Sequence, residues 1–253
     1  MTKKINGLTS FTLHILAMLF MLCDHLWATL FPAAEWLSCI GRLAFPIFAF
    51  MIAEGYSHTS NVKKYVLRLL ICAVITEVPF DLFYGGTVFY PFHQNVLWTF
   101  LIALLTIILI EKTLKLKKRF LGWVLAAVTV LVSYAVGTLA MVDYYGAGIL
   151  TVLVFYFFRE RKWQNFAAQL VCLAVINIGM LKGMYYTFTF AGHEFELAQQ
   201  SLALLALIPI WLYKGGRGYH SRWFKWFCYA FYPAHLMILY LSLIHISEPT
   251  RLD

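Results

Sequence analysis

The sequence predicts an all-α protein: a polytopic transmembrane helical bundle of about nine helices, with its amino terminus in the cytoplasm. Three observations lead there. First, 62% of the 253 residues are hydrophobic and only 13% charged, with a mean hydropathy of +0.74. A soluble domain is about half apolar and about a quarter charged, so the surplus is surface that faces lipid. Second, apolar runs able to cross a bilayer recur along the whole chain. Third, the basic residues collect in alternate loops.

Taken in order, Met1 to Gly7 is short and basic. The apolar stretch behind it is too long for the core of a cleavable signal, so it reads as a first span. The runs are Phe11–Phe31, Trp36–Tyr56, Tyr65–Tyr84, Asn95–Ile110, Leu121–Val142, Gly146–Phe158, Asn165–Leu181, Gln200–Tyr213 and Trp223–Tyr240. Several fall short of the roughly 20 residues a span prefers, and their edges extend by a few residues. The links between them leave no room for a second soluble domain, and no internal repeat is visible.

The loops fix the orientation. Lys3 and Lys4 lie before the first span. Lys63, Lys64 and Arg68 follow the second; Lys112, Lys115, Lys117, Lys118 and Arg119 the fourth; Arg159, Arg161 and Lys162 the sixth; Lys214, Arg217, Arg222 and Lys225 the eighth. Of the 20 Lys and Arg, only Arg42, Lys182 and Arg251 fall elsewhere. The positive-inside rule reads this as nine spans starting in the cytoplasm. The net charge of +8 is therefore a membrane-orientation signal, and nucleic acid is not expected as a partner. Cys23, Cys39, Cys72, Cys172 and Cys228 stand singly on apolar segments, which indicates neither a disulfide framework nor a metal site.

Residues 1–240 read as a single membrane domain. Leu241–Arg251, LSLIHISEPTR, resembles the translation of a sequencing adapter. Residues 241–253 are accordingly set aside as a non-native tail, and His245, Glu248, Pro249 and Arg251 carry no functional weight.

Charges within a bilayer cost about 2.5–3.5 kcal/mol each on insertion scales and mark function by default. At about 1.5 Å of rise per residue, Asp24, His25 and Arg42 come to ~20 Å above the inner edge, with Glu77 at ~18 Å, Asp81 at ~24 Å and His235 at ~20 Å. Gln94, Asn95, Asp143, Tyr144, Tyr145, Gln199 and Gln200 stand around the outer rim. Four helices far apart in sequence thus bring costly groups to one level. A plain alternative is that Arg42 forms a buried ion pair with Asp24, Glu77 or Asp81 that serves packing. Glu77 and Asp81, four apart, face the same way and call for a cation or a proton between them. Asp24 lies about 100° round the helix from His25, poorly placed to orient it and better placed to pair with Arg42. His14, Met18, Met21 and His25 form a helical stripe that reads as packing, with no metal expected. Glu54 and His58 lie at the inner edge of the second span, facing water or an incoming ligand.

The segments LAMLFMLCDHLW, GRLAFPIFAFMIAEGYSHT, NVKKYVLRL, EVPFDL, QNVLWTF, DYYGAGIL, ALLALIPIWLY and FYPAHLMIL resemble the TraX family over nearly the whole chain. TraX proteins are similar to the broader group of membrane acyltransferases. The resemblance implies transfer of an acetyl or other acyl group from acetyl-CoA or another acyl-CoA to an amine or hydroxyl. The acceptor would be a protein amino terminus or a glycan, and the location the bacterial cytoplasmic (inner) membrane. The family's motifs fall on Asp24 and His25, on Gly41, Arg42 and Pro46, on Glu54 and His58, on Glu77 and Asp81, and on His235.

In that reading His25 is the general base, Arg42 or His235 stabilises the oxyanion, and Asp24 pairs with Arg42 or holds an acceptor ammonium. Lys63, Lys64 and Arg68, with Glu54 and His58, attend the cofactor. Two other readings stand beside it. A proton-coupled secondary transporter would use Glu77, Asp81 and His25 as a relay, although repeat symmetry, its usual mark, is missing. A non-catalytic component of an envelope or conjugation complex would leave the convergence of charged residues without a purpose.

Overall fold

The computed structural model describes residues 7–190 and 193–247. Lys3, Lys4, Glu248, Pro249 and Arg251 lie outside the described residues. Each of the nine apolar runs forms helix over most of its length. In order the elements are β1 (Leu8–Thr9), α1 (Ser10–Thr29), α2 (Glu35–Gly41), α3 (Ala44–His58), α4 (Val62–Gly85), α5 (Val96–Leu114), α6 (Arg119–Leu139), α7 (Tyr145–Phe157) and α8 (Trp163–Ala174). A π-helical stretch at Val175–Leu181 extends α8. There follow β2 (Tyr185–Phe190), β3 (His193–Ala198), a 3-10 helix at Gln199–Ala206, α9 (Leu207–Leu212), β4 (Tyr213–Gly216) and α10 (Arg222–Ser247).

Among the described residues six helical stretches are long and apolar enough to cross a membrane: Ser10–Thr29, Glu35–His58, Val96–Leu114, Arg119–Leu139, Trp163–Leu181 and Arg222–Ile246. The apolar helices Tyr145–Phe157 and Gln199–Leu212 are shorter. The remaining run forms α4, whose 24 residues carry Lys63, Lys64, Arg68, Glu77 and Asp81. This is an α-helical membrane bundle in which apolar side chains face outward in rows. On α6, Trp123, Leu131, Val132, Val136 and Leu139 are exposed, the pattern expected where hydrocarbon replaces water.

The chain divides into two compact units. The first comprises 1–48, 78–89 and 182–253, the second 49–77 and 90–181.

In the first unit α1 packs against α2 and α10. Thr9 caps α1 by accepting from the Thr12 N–H, satisfying one of the donors that every helix start leaves open. β1 pairs in parallel with β4, and the Phe11 N–H donates to the Arg217 carbonyl at 3.1 Å. The helix that sequence reads as one span is interrupted: α2 ends at Gly41 and α3 begins at Ala44. Pro46 then sits in the first turn of α3, where a missing N–H costs no intrahelical bond. Between Lys182 and Gln199, β2 and β3 form an antiparallel hairpin, Tyr185 opposite Ala198. By hydropathy alone that segment reads as a plain link between spans.

In the second unit α5, α6 and α7 pack together. Their core includes Leu104, Ile107, Ile149, Val152 and Phe155, all fully or almost fully buried. Gly122 and Gly146 let neighbouring backbones approach: a Cβ at Gly146 would lie 2.4 Å from the Tyr134 carbonyl. The turn into α7 holds Met141, Tyr144 and Tyr145 at positive φ, a costly conformation for residues with side chains. It is pinned by the Gln94–Val142 bridge and by the Thr99 hydroxyl donating to the Asp143 carbonyl at 2.5 Å.

Candidate functional site

In the first unit, two polar pairs begin at adjacent positions of α1. Asp24 forms an ion pair with Arg42. The same carboxylate oxygen accepts from the Ser38 hydroxyl at 3.1 Å. Arg42 is further held by the Ser38 carbonyl and by Gln200 Oε1, each at 3.4 Å. The break between α2 and α3 is what frees Arg42 to turn back toward α1. Gly41 makes the approach possible, because a Cβ there would lie 2.4 Å from the Asp24 Cβ and 2.6 Å from its Oδ1. Of the acids weighed as partners for Arg42, Asp24 forms the ion pair.

The second pair joins His25 and His235 across 210 residues of sequence, with His25 Nδ1 and His235 Nε2 2.7 Å apart. The ring planes differ by 10° and the centroids are 4.9 Å apart. Centroids so much farther apart than the bonded nitrogens place the rings end to end in nearly one plane. That is the geometry of a hydrogen bond in the ring plane and excludes face-to-face stacking. His235 Nδ1 lies 2.7 Å from the Phe231 carbonyl on the preceding turn. Phe83 and Tyr232 flank the His25 ring at 5.1 and 6.3 Å, and His235 is 6% exposed. Asp81, in the same unit as both pairs, is 2% exposed. His14 stands apart, bonded to the Ser10 carbonyl at 2.7 Å and edge-on to Phe224.

Tyr186, the second residue of the hairpin, has its hydroxyl 3.3 Å from Cys39 Sγ and accepts from Gln199 Nε2 at 3.1 Å. Hydrogen bonding to Cys39, aided by desolvation, pushes its pKa up to about 12. Gln199 and Gln200 thus serve neighbouring contacts, one at the hairpin and one at Arg42. Both are buried.

Glu77 belongs to the second unit, and its carboxylate is organised there. Oε2 accepts from Asn95 Nδ2 and from Trp98 Nε1 at 2.7 Å. Asn95 is fully buried; its amide nitrogen also donates to the Ala73 carbonyl at 2.9 Å, and its oxygen caps α5 through the Leu97 N–H. The two donors use both lone pairs of that one carboxylate oxygen. Sequence spacing placed Glu77 and Asp81 on one face, and gave no sign of the amide and indole that hold Glu77.

Lys63 and Lys64 are exposed on the first turn of α4, which Asn61 caps by accepting from the Lys64 N–H at 2.9 Å. Arg68 lies over the Tyr65 ring at 5.8 Å. His58 Nδ1 and Glu54 Oε1 are 3.7 Å apart on α3.

Two further pairs in the second unit escaped the sequence reading. His93 Nε2 lies 3.5 Å from Asp143 Oδ1, and the Tyr156 hydroxyl donates to Glu111 Oε1 at 2.6 Å. Sequence gives Asp143 a place on the outer rim and names no partner for it. Glu111 adjoins the basic cluster after the fourth span, where the positive-inside signal dominates the pattern.

The family model described as "TraX protein" matches residues 10–242. The chain belongs to the TraX family. A curated relative, the "Probable fimbrial assembly protein FimC, serogroup H1" of Dichelobacter nodosus, is 24% identical over 260 residues, covering 94% of this chain and 97% of the relative. No solved structure matches. The TraX match embraces α1 with Asp24 and His25, the α2–α3 break with Arg42, and α10 with His235, so both polar pairs lie within the family region.

Proposed function

We propose that this TraX protein is an integral membrane acyltransferase of the bacterial inner membrane. It moves an acyl group, acetyl in the simplest case, from cytoplasmic acyl-CoA to an amine or hydroxyl acceptor on the outer side. The name of the FimC relative, with its reference to fimbrial assembly, favours an acceptor among pilus or conjugation-associated proteins. The observation that carries the reading is the part-buried His25–His235 pair beginning one residue after the Asp24–Arg42 ion pair. An imidazole is the side chain best suited to move a proton near neutrality.

His25 takes the proton from the acceptor as its nitrogen or oxygen attacks the thioester carbonyl. The tetrahedral intermediate collapses with cleavage of the carbon–sulfur bond, and the proton passes from His25 to the departing thiolate. Arg42 is assigned to the oxyanion, which its guanidinium meets by exchanging a neutral partner such as the Gln200 oxygen for the developing charge. Asp24 holds Arg42 in place and offsets its charge. Lys63, Lys64 and Arg68 are assigned to the donor's phosphates, with Glu54 and His58 at the same end of α3 and α4. No covalent acyl-enzyme is assigned: Cys23 stands singly on the apolar helix α1, where a cysteine packs as a small hydrophobe.

Inverted membrane vesicles supplied with radiolabelled acetyl-CoA and an outward-side amine test the reading. Wild-type protein should transfer label, and His25→Ala should lower the rate by about 10²–10⁴-fold, the usual share of a general base. Equal rates in the two would overturn it. Proton-gradient-driven solute uptake by proteoliposomes, with no transfer, would favour the transporter.

A further inference from the structure

The two imidazoles are constrained more tightly than a simple contact implies. The Phe231 carbonyl can only accept a hydrogen bond, so the His235 Nδ1 lying 2.7 Å from it carries a proton. A neutral imidazole has one donor and one acceptor nitrogen, which leaves His235 Nε2 as an acceptor. The atom 2.7 Å from that lone pair is His25 Nδ1. Two lone pairs do not share such a distance, so Nδ1 of His25 also carries a proton and its lone pair resides on Nε2. The near-coplanar rings, 10° apart, put the donated hydrogen in line with the accepting lone pair. For the neutral pair no other proton arrangement satisfies both contacts.

We propose that His235 is a positioning residue: with the Phe231 carbonyl behind it, it locks His25 in the Nδ1–H tautomer and so makes His25 Nε2 the atom that accepts the acceptor's proton. The reaction half of this inference rests on the acyltransferase reading; the tautomer half stands on the hydrogen bonds alone. The arrangement resembles a serine-protease triad in logic, with a peptide carbonyl and a second imidazole where the triad has a carboxylate. When His25 Nε2 takes its proton, the ring becomes a cation and its Nδ1–H bond to His235 becomes charge-assisted and stronger. The support thus grows as the proton moves. It also requires no second buried charge, which suits a helix interior surrounded by hydrocarbon. His235 is thereby removed from the oxyanion and given to the base.

Nitrogen-15 NMR of histidine-labelled protein in lipid vesicles, with resonances assigned by single substitution, tests this without an activity assay. The wild type should show a protonated Nδ1 and a bare Nε2 on His25, with coupling across the bond to His235 Nε2. His235→Leu removes the acceptor and should release His25 into a mixture of tautomers. His235→Gln keeps an oxygen at the accepting position and should retain the Nδ1–H form. In transfer assays the Leu variant should lose up to about 10²-fold in kcat with KM for acyl-CoA unchanged, the lower range of a general-base contribution. The Gln variant should recover most of that loss. A wild-type His25 protonated on Nε2, or a tautomer indifferent to His235→Leu, would overturn the assignment. The expected spectra without any acyl transfer would support the lock and overturn only the acyltransferase reading.

Discussion

Gly41 lies so close to Asp24 that a single methyl group on Gly41 would lie 2.4–2.8 Å from the carboxylate side chain. The glycine therefore serves proximity and requires no unusual backbone angle. Gly41→Ala is expected to push Asp24 off Arg42 and to destabilise the protein by about 1–3 kcal/mol, the usual cost of overpacking. Gly179→Ala, where nothing lies within 4 Å of the new methyl, is the control. Thermal denaturation of both variants in one detergent should show a lowered midpoint for the first alone.

The Asp24–Arg42 pair is amenable to a double-mutant cycle. Asp24→Asn removes the counter-charge of the guanidinium, and Arg42→Gln removes that of the carboxylate beside the Ser38 hydroxyl. Each single change should cost more than half the effect of the two together, with an interaction term of about 0.5–3 kcal/mol. Chemical denaturation in mixed micelles measures it. Additive effects would show that the pair does no more than fill space.

Glu77 should tolerate an amide better than a hydrocarbon. Glu77→Gln still offers an oxygen to Asn95 and Trp98, whereas Glu77→Leu leaves both donors facing carbon. Unfolding midpoints should fall in the order wild type, Gln, Leu. Asn95→Ala, which removes a fully buried group bonded to Ala73 and Glu77, should cost about 1–3 kcal/mol for the unsatisfied groups it leaves.

The hairpin tyrosine supplies a pH test. Tyr186 is raised to about 12, first by hydrogen bonding to Cys39, above the ordinary phenol value of about 10. A raised value means that the folded state binds the proton more tightly. Its contribution is complete below about pH 10 and vanishes as pH rises through about 12. Ultraviolet difference titration should show a late-ionising phenol that disappears in Tyr186→Phe. Between pH 6 and 9, a range set well below that window, the tyrosine and its variant should have the same pH dependence of stability.

Much of this architecture is legible in the residues alone. Apolar runs give the helices because lipid-facing and core-facing positions are both apolar, so the signal survives without periodicity. Equal depth and opposite charge put Asp24 among three acids offered to Arg42, with Glu77 and Asp81 beside it. What escapes is whatever depends on a partner elsewhere in the chain. Nothing local to His235 says that it meets His25, and nothing near Glu77 names Asn95 and Trp98. The gap at Arg42 and Leu43 escapes for another reason: the run Trp36–Tyr56 is apolar on both sides of Arg42, and one charge does not divide a span by hydropathy. The hairpin was hidden because Tyr185–Ala198 lies between spans, where hydropathy is uninformative, although YYTFTF carries strand-forming residues in every place.

Phe11 meets Phe224 near the starts of α1 and α10, with ring centroids 4.7 Å apart, and His25 meets His235 about four turns later in α1 and about three turns later in α10. Contacts in that sequence force the opening and closing helices to point the same way. Parity then governs everything between them: the polypeptide must traverse the bilayer an even number of times before α10 begins. Compartment reporters inserted ahead of Leu8 and between Gly216 and Arg222 should accordingly light up on one and the same face.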